Sequence, residues 1–146
     1  MYKKTTMTHA KFAKDGKAFL QKEEDKIARS ILDHSFQIHT ELGSGLLESV
    51  YEKVLFHRLQ KAGWNVKQQV GVPIQIDDLE IPEGFRADLI VEDKVIVELK
   101  STEEMKKLFG KQLLTYLRLS KRKLGLVINF GVPHLKDGIE RVVNGL

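Results

Sequence analysis

The chain contains no cysteine, and this absence removes several kinds of site at once. Without thiols there is no disulfide framework, no thiolate metal centre and no cysteine nucleophile. The same absence fits a reducing compartment, and we expect a cytoplasmic protein. No apolar run is long enough to cross a membrane, and the lysine-rich N-terminus has neither the apolar core nor the cleavage site of a secretory signal. We therefore expect no membrane partner.

Several familiar catalytic signatures are missing as well. The 11 glycines form neither a phosphate-binding loop nor a dinucleotide fingerprint. The five histidines do not have the tight spacing of metal ligands, and no serine, histidine and aspartate stand in a context that suggests a triad. What remains is a mildly basic chain with a net charge of +4. That charge is compatible with a polyanionic partner and equally with an ordinary basic surface.

The length of 146 residues is typical of one domain. We interpret residues 1–21 as a lysine-rich N-terminal arm that is mobile, and residues 22–146 as a single domain. Apolar periodicity predicts helices at 22–42, 46–61 and 108–120, and strands at 66–76, 85–91, 95–100, 124–130 and 139–143, with a polar loop at 77–84. Two helices, three strands, a helix and one or two further strands predict an α/β fold, in which helices flank a mixed central sheet.

The stretch 85–101, FRADLIVEDKVIVELKS, carries the most chemical information. It predicts two apolar strands joined by a tight charged turn at 92–94. Asp88 interrupts the first strand, Glu98 interrupts the second, and Lys100 follows two places later. Because side chains alternate between the faces of a sheet, Glu98 and Lys100 should share one face, and pairing across the hairpin should bring Asp88 to it. The same alternation predicts that four apolar side chains of the first strand share its other face: Phe85, Ala87, Leu89 and Val91.

Two acidic residues in otherwise apolar strands indicate a metal site. Carboxylates about 4 Å apart repel by roughly 4 kcal/mol at an effective dielectric of about 20. Lys100 would offset part of that repulsion, and a divalent cation would offset more. Hard oxygen ligands on a sheet face suit Mg²⁺ or Mn²⁺. The alternative is an exposed sheet face that carries ordinary charges.

Two helices offer further candidates. Glu48 lies on the shoulder of an apolar stripe, where it is either a solvated acid of the first turn or a third carboxylate that faces Asp88 and Glu98. Spacing alone favours the solvated acid. Gln112 and Tyr116 lie one turn apart on a stripe that we expect to face the core. The glutamine is then either a buried amide bonded to backbone or a contact to substrate phosphate.

Taken in order, these motifs resemble the GxxExxY protein family of the PD-(D/E)xK nuclease superfamily. Residues 45–51, GLLESVY, match the pattern that names the family. Residues 84–88, GFRAD, and 97–100, VELK, resemble its Asp and Glu-x-Lys motifs. Residues 112–116 resemble the Gln-x-x-x-Tyr motif of RecB-like nucleases. The resemblance extends over residues 27–144.

The resemblance implies a restriction-endonuclease-like αβββαβ core and a catalytic set of three acids and a lysine: Glu48, Asp88, Glu98 and Lys100. The acids would be metal ligands, with Glu48 bound directly or one step removed, and the lysine would position or activate the attacking water. Gln112 and Tyr116 would bind substrate. Phe109 is a departure, because relatives often carry a histidine at that place. This departure puts manganese preference and exonuclease-type chemistry in doubt.

The sequence therefore predicts a metal-dependent nuclease that uses Mg²⁺ or Mn²⁺ to hydrolyse phosphodiester bonds of nucleic acid, without distinguishing DNA from RNA. Two alternatives are a non-catalytic nucleic-acid-binding or protein-interaction module on the same fold, and hydrolysis of another phosphodiester. Basic side chains outside the pocket are candidate phosphate contacts. They are Lys106, Lys107, Lys111, Arg118, Lys121, Arg122 and Lys123. For any one of them a solvated helix end is the simpler interpretation.

Overall fold

The computed structural model describes residues 11–12, 18–19 and 22–146. Two short strands, β1 (Lys11–Phe12) and β2 (Ala18–Phe19), pair antiparallel. Most of the predicted mobile arm at 1–21 lies outside the described residues, and its mobility stays a prediction, as does the single domain at 22–146. The remaining elements are α1 (Glu23–Leu42), α2 (Glu48–Lys61), β3 (Val66–Ile76), β4 (Leu79–Val91), β5 (Val95–Lys100), α3 (Lys107–Ser120), β6 (Leu124–Asn129), a 3₁₀ helix (Leu135–Gly138) and β7 (Ile139–Val143).

Strands β3 to β7 form one sheet in the order β3-β4-β5-β6-β7. β5 and β6 are parallel, with Val95 opposite Leu124 and Lys100 opposite Asn129, and α3 makes the crossover between them. The other neighbouring strands of this sheet are antiparallel. The predicted α/β fold with a mixed central sheet is therefore confirmed.

Helices cover both faces of the sheet, which explains why its central strands are so apolar. On one face α1 and α2 pack against Val95, Val97 and Leu99 of β5 and alternate residues of β6. On the other face Leu113 and Leu117 of α3 pack against Ile96 and Val127. All six residues of β6 are buried, as expected for a strand covered on both sides. None of the helices in the described ranges has the length and apolar character needed to span a membrane.

The predicted loop at 77–84 is wrong, because β4 begins at Leu79 and extends the hairpin with β3 as far as the pair Ile76 and Leu79. Pro82 suggested a loop, since proline cannot donate to a ladder. It is accommodated because β4 pairs with β5 only from Leu89 onward, so that Pro82 has no β5 partner. Pro73 stands at a register shift of the edge strand β3, as its presence in the strand predicted.

The prediction that Phe85, Ala87, Leu89 and Val91 share one face is also wrong. Phe85 and Ala87 belong to the core beneath α3, whereas Leu89 and Val91 belong to the core beneath α1 and α2. The change of face falls at Asp88. There the β3–β4 ladder skips a pair: Gln68 opposes Leu89 and Val70 opposes Ala87, but Gln69 and Asp88 do not register. Regular alternation fails where the ladder is interrupted.

Candidate active site

The hairpin between β4 and β5 closes through a tight turn, as predicted. Glu92 and Asp93 both have a φ of 55°, and the Lys94 N–H donates to the Val91 carbonyl at 3.0 Å. Two successive left-handed residues suit the right-handed twist of a hairpin. The turn fixes the register of the two strands, and the ladder between β4 and β5 ends at Leu89 opposite Val97. The two acids occupy the next position, where the strands part.

Asp88 is held by hydrogen bonds to both of its carboxylate oxygens. Oδ2 accepts from the Leu99 N–H at 2.8 Å, so a side chain satisfies the β5 backbone just past the end of the ladder. Oδ1 accepts from Nε2 of Gln69 at 3.2 Å. Each ionised carboxylate oxygen has a second lone pair. Asp88 is therefore fixed in place and still able to bind a cation.

Glu98 contains the most unusual atom of the site. Its Oε1 is buried and has no hydrogen-bond partner among the described residues. The pKa of Glu98 is raised to about 8, by burial first and then by the charge of Asp88, although Lys100 and a backbone hydrogen bond from Asp88 act in the opposite direction. A buried oxygen without a partner beside another carboxylate is a place where an ion would supply the missing interaction.

Glu48 begins α2 and is exposed, so that the solvated first-turn position expected from spacing alone is observed. Glu48 nevertheless lies close enough to Asp88 of β4 and Lys100 of β5 to interact with their charges. The pKa of Glu48 is raised by partial desolvation and then by the charge of Asp88, while Lys100 lowers it. The fold therefore brings the helix acid into the electrostatic neighbourhood of the strand acid and the lysine.

Lys100 ends β5 and lies between the acids and α3. Its Nζ is 4.9 Å from the centroid of the Phe109 ring. An ammonium group at this distance from an aromatic face is attracted by the ring quadrupole. Phe109 thus helps to hold the lysine. It is the residue that departs from the resembling family, which often has a histidine at this position.

The second half of α3 contributes Gln112 and Tyr116. The Tyr116 ring stacks on Phe85 with centroids 4.0 Å apart and planes 2° apart. Desolvation and then the charge of Glu98 raise the pKa of Tyr116, while a hydrogen bond with Gln112 lowers it. Gln112 is exposed, so the expectation of a core-facing amide is wrong. The buried face of α3 is made by Gly110, Leu113 and Leu117 instead.

Sequence reasoning missed two polar residues at this site, Glu52 and Gln69. Glu52 is buried on α2 one turn after Glu48, and its Oε1 accepts from Nε2 of Gln69 at 2.7 Å. The spacing of Glu48 and Glu52 was a usable signal, because residues four apart share a helix face. Gln69 gave no such signal, since only the pairing of β3 with β4 brings it to Asp88.

The donor chemistry of the site fits a hard divalent cation. Asp88 and Glu98 supply oxygens from adjacent strands, and Glu98 Oε1 lacks a partner in the described part of the chain. Within those same residues, no group of three or more histidine, aspartate or glutamate side chains is arranged to hold a metal ion. Mg²⁺ usually takes one or two protein carboxylates and completes its shell with water and substrate phosphate. The geometry therefore favours a site with two carboxylates.

Comparisons with known proteins concern the family and the fold of the chain. The family model of the PD-(D/E)XK nuclease superfamily matches residues 25–142. No curated protein matches the chain. Among solved structures the chain is similar to the crystal structure of SSO0001, with 21% identity and a TM-score of 0.50. That likeness covers 85% of this chain and 59% of the other, and it concerns the fold alone. Because the family model covers most of the sequence, the chain belongs to the PD-(D/E)XK nuclease superfamily.

Proposed function

We propose that this protein is a nuclease that hydrolyses phosphodiester bonds of nucleic acid with the help of Mg²⁺ or Mn²⁺. The observation that carries the proposal is the buried, unpartnered Oε1 of Glu98, which lies in the electrostatic neighbourhood of Asp88 and Lys100. Structural stability alone gives no reason to bury a carboxylate oxygen without a partner next to a second acid. Membership of a nuclease superfamily supports the same chemistry.

Asp88 and Glu98 would hold the cation, and Glu48, which does not complete a group of three ligands with them, would act through a water. The backbone carbonyl of Leu99 is a further candidate ligand. When bound, the cation stabilises negative charge at the phosphate and lowers the pKa of a coordinated water. The three candidate ligands and Lys100 leave two negative charges and Glu52 adds a third, so one divalent cation would neutralise most of the negative charge of the site.

Lys100 is proposed to position the attacking water and, as an ammonium group, to stabilise the hydroxide that forms when this water releases its proton to solvent. Its positive charge lowers the pKa of Glu98 and of Glu48. Its contact with the Phe109 ring limits the directions that its long side chain can take. A lysine restrained in this way loses less rotamer freedom when it reaches the phosphate.

Gln112 and Tyr116 are proposed to bind substrate. The exposed amide of Gln112 is accessible to a ligand, and the Tyr116 hydroxyl lies in the electrostatic neighbourhood of Glu98. Both groups can donate hydrogen bonds to phosphate oxygens. Their spacing supports assignment to the RecB-like group, although Phe109 replaces the histidine that often accompanies it.

We also propose membership of the GxxExxY family, because the motif has a clear local role. The Tyr51 hydroxyl donates to the Gly43 carbonyl at 2.6 Å and accepts from the Leu46 N–H at 3.2 Å. Its ring stacks on Phe130 with centroids 4.4 Å apart. The tyrosine thus holds the loop that leads to Glu48. This contact gives a structural reason for the motif, in which a tyrosine follows the acid by three residues.

Cleavage assays with single- and double-stranded DNA and with RNA test this function. We expect cleavage with Mg²⁺ or Mn²⁺ and none with EDTA. Asp88→Ala and Lys100→Ala should each reduce the rate at least about 100-fold, as expected when a group that acts in the transition state is removed. Circular dichroism and urea denaturation should show that both variants fold. Asp78→Ala, in the turn between β3 and β4, and Lys94→Ala, in the turn between β4 and β5, are matched controls.

Cleavage that survives in both Asp88→Ala and Lys100→Ala would contradict the proposal. Nucleic-acid binding that is unaffected by EDTA and is never accompanied by cleavage would favour the non-catalytic module. If neither DNA nor RNA is cut while a small phosphodiester is hydrolysed, the chemistry stands and the substrate class is wrong.

A further inference from the structure

We infer that Gln69 is a positioning residue, which fixes the carboxylate of Asp88 for cation binding and is itself oriented by Glu52. The inference rests on the proposed function and goes beyond it, because neither the sequence motifs nor the superfamily match assigns a role to β3. Gln69 lies on the edge strand, beside the point where the β3–β4 ladder is interrupted.

The backbone of Gln69 is the first observation. Its φ is 51°, in the left-handed region that glutamine rarely adopts. The residues on either side pair normally, Gln68 with Leu89 and Val70 with Ala87, so the unusual conformation is confined to one residue. Local backbone strain of this kind persists only where the surrounding structure enforces it, and it is common at functional sites.

The side chain of Gln69 is the second observation. Its Nε2 donates to Oε1 of Glu52 at 2.7 Å and to Oδ1 of Asp88 at 3.2 Å. An amide NH₂ group has two hydrogens, and both are used here. Ionised carboxylates only accept hydrogen bonds, so the amide nitrogen must be the atom that faces them. One amide therefore bridges an acid of α2 and an acid of β4.

Arg86 secures the residue from its other side. Its Nη1 donates to the backbone carbonyl of Gln69 at 2.6 Å, and its Nε donates to Oε1 of Glu83 at 2.8 Å. Gln69 is thus held through its main chain and its side chain at once. Together with the Leu99 N–H on Oδ2, it fixes both oxygens of Asp88 and leaves each a lone pair for a cation.

The competing explanation is that Gln69 only closes the β3–β4 ribbon. Gln69→Gly separates the two roles, because glycine adopts positive φ without strain and has no amide to donate. If Gln69 positions Asp88, the variant should bind Mn²⁺ roughly 10–100-fold more weakly in calorimetry, the usual effect of losing a partner of a metal ligand. Its urea midpoint should stay close to that of the wild type, since relief of strain offsets the lost hydrogen bonds.

Asp77→Gly is the matched control. Asp77 also has a positive φ, 53°, but it lies at the tip of the β3–β4 hairpin between Ile76 and Leu79. This change gives the same backbone relief and should leave the Mn²⁺ affinity unchanged. Gln69→Asn is a second test variant, because asparagine tolerates a left-handed backbone and its shorter side chain cannot bridge the two acids.

Unchanged Mn²⁺ affinity in Gln69→Gly and Gln69→Asn would overturn the inference, and so would a failure of both variants to fold, which would make the residue structural. A wild type that does not bind Mn²⁺, or an Asp88→Ala variant that binds it as well as the wild type, would overturn the proposed function instead. Weaker Mn²⁺ binding in both Gln69 variants, with normal Mn²⁺ binding in Asp77→Gly, is the result that supports the positioning role of Gln69.

Discussion

At the scale of single residues, Glu98 links the candidate site to the pH dependence of folding. Burial raises its pKa from an ordinary value of 4.5 to about 8. The folded state therefore binds this proton more tightly than the unfolded state does. Its contribution to stability is complete below pH 4.5 and is lost as the pH rises through about 8. Between these values the folded protein without metal keeps Glu98 protonated, and only above about pH 8 does it carry a charge that its surroundings disfavour.

Glu98→Gln should remove this pH dependence. The wild type in EDTA should lose on the order of 3 kcal/mol more stability between pH 5 and pH 8.5 than the variant does. Urea denaturation at the two pH values measures the difference. Mg²⁺ should restore stability to the wild type at pH 8.5 and have little effect on the variant. Glu83→Gln, an exposed acid of β4, is the control. Parallel pH profiles for the wild type and Glu98→Gln would contradict the assignment.

At the scale of elements, the connection from β5 to α3 matters because it sets the position of Lys100, at the end of β5, relative to Gln112 and Tyr116 on α3. Asn129, buried at the end of β6, holds it with three hydrogen bonds and makes a fourth to Gly131. Its Oδ1 accepts from the N–H groups of Thr102 and Gly131, and its Nδ2 donates to the Thr102 hydroxyl and the Glu104 carbonyl. A Cβ on Gly131 would lie 2.3 Å from the Thr102 carbonyl oxygen, so the backbones meet closely.

Asn129→Ala should therefore lower the free energy of unfolding by about 2–4 kcal/mol, because several partly buried groups lose their hydrogen bonds to Asn129 together. It should also reduce cleavage under conditions where the variant remains folded, since Lys100 and α3 are no longer fixed relative to each other. Asn144→Ala removes one comparable hydrogen bond, from Nδ2 to the Arg122 carbonyl, and should cost about 1 kcal/mol without affecting cleavage. Equal effects of the two changes would show that Asn129 has no special role.

At the scale of the whole molecule, α3 divides the basic residues into two groups. The start of the helix, nearest Lys100 and Phe109, carries Lys106, Lys107 and Lys111, which are exposed. The far end carries Arg118, Lys121 and Lys123, also exposed. Arg122 differs from both groups, because its side chain is 18% exposed and pairs with Asp93 at 2.6 Å. Its contact joins the end of α3 to the β4–β5 turn, which makes it a poor candidate for phosphate binding.

Replacing Lys106, Lys107 and Lys111 together by alanine should weaken nucleic-acid binding and flatten its salt dependence. Each lost phosphate contact changes the slope of log K against log salt by about 0.9 for duplex DNA or about 0.7 for a single strand, so three contacts change it by roughly 2–3. Fluorescence anisotropy over a range of salt concentrations measures the slope. Replacing Arg118, Lys121 and Lys123 removes the same charge and should change the slope less. The opposite ranking would place the nucleic acid at the far end of α3.

Much of this molecule was predictable from the sequence, for physical reasons that particular residues make clear. Helical periodicity and strand runs are local properties, so the order of elements and the bounds of β3 agree with prediction. The hairpin followed from turn chemistry at Glu92 and Asp93. The exposed position of Gln112 did not follow, because its place on the helix relative to the sheet depends on packing rather than on spacing.

Other features were beyond sequence reasoning because they depend on long-range pairing. Pro82 indicates a loop by its own chemistry, and only the short β4–β5 ladder explains why a strand accepts it. In the sequence Gln69 looks like any polar residue of an edge strand. Only the pairing of β3 with β4 brings its side chain within hydrogen-bond distance of Asp88. Asp88, Glu98 and Lys100 stood out by residue type and Glu48 by the family resemblance, while the neighbours that hold them were found only in the fold.

The tight turn at Glu92 and Asp93 has a consequence for the order in which the protein folds. Asp88 and Glu98 are joined by a short hairpin, and hairpins form in about 1–10 μs. The parallel pairing of β5 with β6 needs α3 in place and closes a much longer loop, which makes it slower. We therefore expect the two acids to meet on a partly folded chain, before the surrounding core forms. A refolding molecule would then meet the electrostatic repulsion of its candidate active site early, and a low pH during the first step should speed its folding.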